Sequence, residues 1–107
     1  MKKLFINILK ALLFLILTSI IHVNADELFN KGKEVFLEAG NCAACHTLSD
    51  AGSNGNVGPN LNEIRPDIQR IIMAVKNGIG VMPAMEDILS TEDIEAVAHY
   101  VSISTDQ

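Results

Sequence analysis

The chain has 107 residues, one small domain at most, and thirteen acidic against eight basic side chains give it a formal charge of −5. An acidic surface repels phosphate, so nucleic-acid binding is excluded. With no tryptophan and a single tyrosine, the chain has little aromatic bulk for a core, and a domain this small calls for a staple or a cofactor.

The first 25 residues read as an address. Lys2 and Lys3 form a basic start, Ala11 to Ile21 is an uncharged apolar run, and Val23-Asn24-Ala25 brings small residues before Asp26. That order predicts a secretory signal over 1–25, cut between Ala25 and Asp26. The competing reading is an uncleaved membrane anchor over Leu4 to Val23, which Asn7, Lys10 and His22 weaken. Removing Lys2, Lys3 and Lys10 with the signal leaves five basic against thirteen acidic side chains in 26–107, a charge of −8. A docking partner is then expected to present a basic patch, with association that weakens in salt.

Asp26 reads as the N-cap of a first helix, with Glu27 in its first turn. Leu28, Gly32, Val35, Phe36 and Ala39 form its apolar stripe, and Gly40-Asn41 its stop. Gly32 lies on that stripe, which points to close packing against another helix.

Cys42-Ala43-Ala44-Cys45-His46 follows. Two thiols three positions apart with an imidazole after the second is the spacing of c-type haem attachment. Each thiol can add to one porphyrin vinyl group, and the tether places His46 under the iron as proximal ligand. A zinc site would need two further ligands, and neither His22 nor His99 forms a second paired element. A redox dithiol would sit in a βαβ unit, and no strand alternation surrounds these residues. A plain disulfide leaves His46 unexplained.

Residues 47–58 are small, polar and glycine-rich, and read as loop. Gly58-Pro59-Asn60-Leu61 closes it, either as an ordinary turn or with the Pro59 carbonyl accepting the Nδ1 hydrogen of His46. Pro66 suits a first helical position with Asp67 beside it. Ile68, Ile71, Ile72 and Val75 give that helix an apolar stripe, Asn77-Gly78 its stop, and Met73 falls off the stripe's centre. Arg65, Arg70 and Lys76 read as solvated charges. Met82 lies in an irregular stretch stiffened by Pro83, so its thioether is either aimed at a metal or fills a gap in the core. Met85 reads as core. Ser90 caps a last helix whose stripe is Ile94, Val97, Ala98 and Val101, with Tyr100 on its flank and His99 exposed.

CAACH, then GPNL, then a Met-Pro loop before a C-terminal amphipathic helix resembles the class I c-type cytochromes over essentially all of 26–104. The resemblance implies an all-α fold of three to four short helices around one covalent haem c. It implies thioethers on Cys42 and Cys45, axial iron ligands His46 and Met82, and the Pro59 carbonyl on His46. It also implies a crossing of the first and last helices through Gly32, Phe36 and Tyr100. Phe36 stands further from Cys42 than in familiar members, and no tryptophan is present for a propionate. CAACHTLSDAGSNGNVGPNL with NGIGVMPAM is also similar to the small cytochrome subunits of bacterial sulfite dehydrogenases. The expected function is that of a periplasmic one-electron carrier, not an enzyme in itself, as a monomer or one subunit of a heterodimer. A dedicated electron-accepting subunit of a periplasmic dehydrogenase is the alternative, and a haem-based ligand sensor a third. Membrane association is expected only if the N-terminal segment stays on.

Overall fold

The computed structural model describes residues 1–106, with residues 18–23 described by their backbone alone, so the side chains of His22 and Val23 in the signal reading lie outside the described residues. Helix α1 runs unbroken over Lys2–Leu37. The helix start expected at Asp26 is therefore corrected: no glycine or proline interrupts residues 2–31, and an aspartate inside a helix costs only a fraction of a kcal/mol, roughly 0.7 at most. From Leu4 to Leu17 the large apolar side chains are exposed on every face. Among the described residues, no helix is long and apolar enough to cross a membrane.

A 3₁₀ turn over Cys42–Ala44 comes next. The stretch read as pure loop holds a small antiparallel hairpin, β1 (Thr47–Leu48) and β2 (Ser53–Asn54), with Thr47 opposite Asn54 and Leu48 opposite Ser53. Helix α2 (Leu61–Ile64) is capped by Asn60, whose side chain accepts from Asn62 N. Helix α3 is Ile68–Asn77 and helix α4 is Thr91–Thr105. The expected fold class, mostly helical and small, is the one observed.

One cap assignment differs in detail. Asp67 is itself the N-cap of α3, accepting from Arg70 N at 3.0 Å, so Pro66 precedes the helix. A carboxylate there satisfies an orphan donor, which proline cannot do. Ser90 caps α4 as expected, accepting from Asp93 N at 3.1 Å. Arg65 is exposed, as expected of a solvated charge, but it also has a structural task. Its backbone is left-handed (φ 45°), and Nε donates to Thr105 O at 2.9 Å, closing the C-terminal end of α4.

The core lies where α1 crosses α4. Val35, Phe36, Ile94, Val97, Ala98, Tyr100 and Val101 are buried there, joined by Leu48, Leu61, Ile71, Val75 and Leu89 from the other elements. Tyr100 is fully buried, not flanking, and His99 is half-buried, not exposed. The tyrosine ring meets Phe29 edge-on at 5.0 Å and Phe36 at 5.8 Å. Such pairs add about 0.5–1.5 kcal/mol each beyond burial. Phe29 thus does the work expected of Leu28, which is exposed.

Gly32 explains how the two helices come so close. A Cβ there would overlap the Ala96 carbonyl oxygen and lie 2.5 Å from Tyr100 Cβ. Backbone cannot turn away as a flexible side chain can. Gly32→Ala is expected to destabilise the protein by about 3 kcal/mol, the upper end of ordinary overpacking, read as a lower midpoint in urea. An unchanged midpoint would mean the helices slide apart without cost.

The hairpin turn is tied to this crossing. Tyr100 donates its hydroxyl to Asp50 Oδ2 at 2.6 Å, Lys33 Nζ lies 3.3 Å from the same oxygen, and Lys33 Nζ also donates to Asp50 O at 3.1 Å. The Tyr100 hydroxyl, with help from Lys33 and against partial burial, holds the Asp50 carboxyl below its ordinary value. Its stabilisation is complete above the ordinary carboxylate range and is lost as pH falls through the lowered folded value. The stability advantage of the natural chain over Asp50→Asn should therefore shrink from neutral to acid pH in urea titrations. A difference independent of pH would contradict it.

Candidate haem-binding site

The end of α1 and the hairpin hold Cys42-Ala43-Ala44-Cys45-His46 between them. Cys45 N and His46 N both donate to Cys42 O, at 3.1 and 3.0 Å, so the pentapeptide is wound into a tight turn. Gly58 N donates to Cys45 O at 2.8 Å, and Ser53 Oγ to His46 O at 2.9 Å. The backbone that carries the histidine is thus gripped from β2 and from the segment that follows it. Cys42 and Cys45 are free and half-buried. Burial pushes the Cys42 thiol up to about 11, so it is neutral near pH 7. A redox-active dithiol is activated by the opposite shift.

His46 Nδ1 lies 2.8 Å from Pro59 O. A carbonyl only accepts, so Nδ1 carries the proton and Nε2 keeps its lone pair for a metal. Such a bond fixes ring orientation and raises ligand basicity. Gly58 packs beneath the ring: a Cβ there would lie 2.5 Å from His46 Cε1 and 2.9 Å from Nδ1. This residue stood in the Gly-Pro-Asn-Leu motif, yet the sequence reading assigned a role only to Pro59. A glycine directly before a carbonyl that must reach a ring was the available signal.

Met82 sits where α3 hands over to an irregular loop. Gly78 (φ 74°) ends the helix, and a Cβ on it would lie 2.7 Å from Met82 O and Ala84 N. Ile79 and Met82 exchange backbone hydrogen bonds of 3.1 and 3.0 Å, closing a tight turn with Gly80 at φ 57°. Only glycine enters both of these left-handed positions without strain. The side chain of Met82 is half-buried against the core, and so is that of Met85, whose N–H donates to Val75 O at 2.8 Å. Burial alone therefore does not choose between the two thioethers; the turn is what sets Met82 apart. Met73 is 59% exposed and packs on little.

Two free thiols, an imidazole with its Nδ1 already engaged, and half-buried thioethers form a donor set suited to a covalently held haem. Among the described residues, no group of three or more His, Cys, Asp or Glu gathers as a metal cage, as a zinc site would need. Large apolar side chains stand exposed at Val57, Ile64, Ile68, Ile79, Val81 and Ile88, on the segments leading to and from these donors.

A family model described as cytochrome c oxidase, cbb3-type, subunit III matches residues 27–101. The cytochrome c6 of Cladophora glomerata is 42% identical over 81 residues, covering 70% of this chain and 87% of that protein. The cytochrome c6 of Microcystis aeruginosa is 38% identical over 74 residues, covering 65% and 89%. Among solved structures, the c-type cytochrome SorU from Sinorhizobium meliloti is 52% identical with a TM-score of 0.72, covering 77% of this chain and 95% of that one.

Proposed function

The chain belongs to the cytochrome c family as a single-haem, class I member, and from that premise we propose that it is a periplasmic one-electron carrier with His46 and Met82 as axial iron ligands. The observation that carries the reading is the His46 ring, held at Nδ1 by Pro59 and backed by Gly58, directly after two free thiols. Bound haem c supplies a reversible ferric/ferrous couple. Cys42 and Cys45 would hold the group through thioethers. Pro59 and Gly58 keep the imidazole in one orientation, so little moves when the charge changes. Met82, on its glycine-hinged turn, offers a soft sulfur that favours the reduced state. With His46 and Met82 both offered to the iron, the loaded site would leave no open position for substrate.

Residues 1–25 are read as a signal removed on export, and 26–107 as the haem domain. The exposure of large apolar side chains on every face between Leu4 and Leu17, behind the basic start of Lys2 and Lys3, supports that reading. Docking is assigned to the apolar tip beside Met82, where Ile79 (69%) and Val81 (86%) are exposed and Glu86 and Asp87 follow. A partner with a basic patch fits these acids. The second reading, a dedicated electron-accepting subunit of a sulfite dehydrogenase-like enzyme, differs in partner and not in chemistry. The similarity of CAACHTLSDAGSNGNVGPNL to such subunits favours keeping it, and copurification with a larger subunit would distinguish it.

The test is expression with a working haem-maturation system, followed by peroxidase staining of a denaturing gel. A stained band is expected, because thioether-bound haem survives denaturation. Unstained, colourless exported protein would overturn the proposal. With a basic redox partner, the association rate is expected to fall steeply as salt rises.

A further inference from the structure

Asp50 is three residues beyond the first hairpin residue and touches neither Cys42, Cys45, His46, Pro59 nor Met82 in any hydrogen bond or ion pair of the structure. Its carboxylate nevertheless joins three elements: the hairpin that carries it, α1 through Lys33 and α4 through Tyr100. The Tyr100 hydroxyl has little freedom, since its ring is fully buried and set edge-on to both Phe29 and Phe36. At 2.6 Å the bond to Oδ2 is in the charge-assisted range. The packed tyrosine is therefore the fixed point, and the hairpin turn comes to it.

From the turn the constraint passes to the haem motif through a short series of contacts. Leu48 N donates to Ser53 Oγ, and Ser53 Oγ to His46 O. Thr47 Oγ1 donates to Gly55 O, and a Cβ on Gly55 would lie 2.5 Å from Cys45 C and 2.7 Å from His46 N. The hairpin cannot shift without moving the backbone of His46. We propose that Asp50 is a positioning residue for His46: by pinning the hairpin to the α1–α4 crossing it sets the orientation from which the imidazole meets the iron.

The proposal rests on the reading of His46 as an iron ligand. It is tested on haem-loaded protein by following the hyperfine-shifted His46 ring resonances in the ferric state, together with the reduction potential, for three variants. Asp50→Ala removes the acceptor. Tyr100→Phe removes the donor and keeps the ring packing and the Asp50 charge. Asp50→Asn removes the charge and keeps an acceptor for the hydroxyl. Asp50→Ala and Tyr100→Phe are expected to shift the His46 resonances alike, and their combination no further than either alone. Asp50→Asn is expected to stay near the natural protein. If Asp50→Asn shifts as far as Asp50→Ala while Tyr100→Phe shifts nothing, Asp50 acts through its charge and the positioning role is wrong. Lower melting temperatures with unmoved resonances and potential would make it a structural contact only, which also overturns it. Should Asp50→Ala not fold, Tyr100→Phe against Asp50→Asn still decides. Failure of the underlying ligand reading looks different: the natural protein would itself show no shifted histidine resonances.

Discussion

Replacing Met82 with alanine is expected to abolish the weak far-red absorption band of thioether-bound ferric iron and to lower the reduction potential, while Met85→Ala leaves both in place. The reason is the backbone, because both sulfurs pack on the same apolar cluster. Met82 is held in a closed turn by its two hydrogen bonds with Ile79, after glycines at φ 74° and φ 57°. Such a turn presents one side chain in one direction. Met85 already has its N–H on Val75 and its carbonyl accepting from Ile88 and Leu89, so it serves as the root of the next chain segment. Losing a soft sulfur ligand removes a preference for ferrous iron. The potential should drop by about 0.1 V or more, within the roughly 0.8 V that axial ligation spans. A sensor-type haem would behave otherwise: the natural ferrous protein would bind carbon monoxide tightly and Met82→Ala would change little. Loss of the band in Met85→Ala instead would transfer the ligand to that residue.

Much of this candidate site was legible in the residue order, for a physical reason. Thiol, thiol and imidazole act over a five-residue span, and chemistry that local is written in spacing. The helix stripes were likewise legible where one face meets the core, as with Ile71, Val75, Ile94, Val97 and Val101, all buried. What was missed depends on a partner distant in the chain. Periodicity alone puts Tyr100 on the flank of its stripe, and the crossing with Gly32 and Phe36 that the resemblance implied is observed, whereas Phe29 against its ring and Asp50 on its hydroxyl had no signal in the residue order. Arg65 looked solvated because the carbonyl it closes belongs to Thr105, forty residues on. The hairpin at 47–54 has two-residue strands, too short for any alternation to declare itself. Gly32 was read for packing, and it succeeded because a glycine on an apolar stripe has few other uses.

The Cys42→Ala, Cys45→Ala protein is expected to lose its cooperative thermal melt and a large part of its far-UV helical signal. Among the described residues the core cluster holds a dozen buried side chains, of which only Phe36 and Tyr100 are aromatic. Against it stand Val57, Ile64, Ile68, Ile79, Val81 and Ile88, each between 39% and 86% exposed. Fully burying an aliphatic side chain of this size is worth about 1.5–3 kcal/mol. If a tethered porphyrin covered Val57, Ile64, Ile68 and Ile88, leaving Ile79 and Val81 for docking, the gain on these part-exposed side chains would be about 3–6 kcal/mol, comparable to the lower end of the roughly 5–15 kcal/mol that holds an ordinary domain together. Without the tether that contribution depends on free haem concentration and vanishes when none is present. The α1–α4 crossing does not need the haem for its own contacts, since Gly32, Phe29, Phe36 and Tyr100 meet one another directly. Residual helix from that pair is therefore expected, while α3 and the Met82 loop melt without a sharp midpoint. A native, cooperative transition in the double variant would show that the polypeptide folds by itself and that the prosthetic group is a passenger in the architecture.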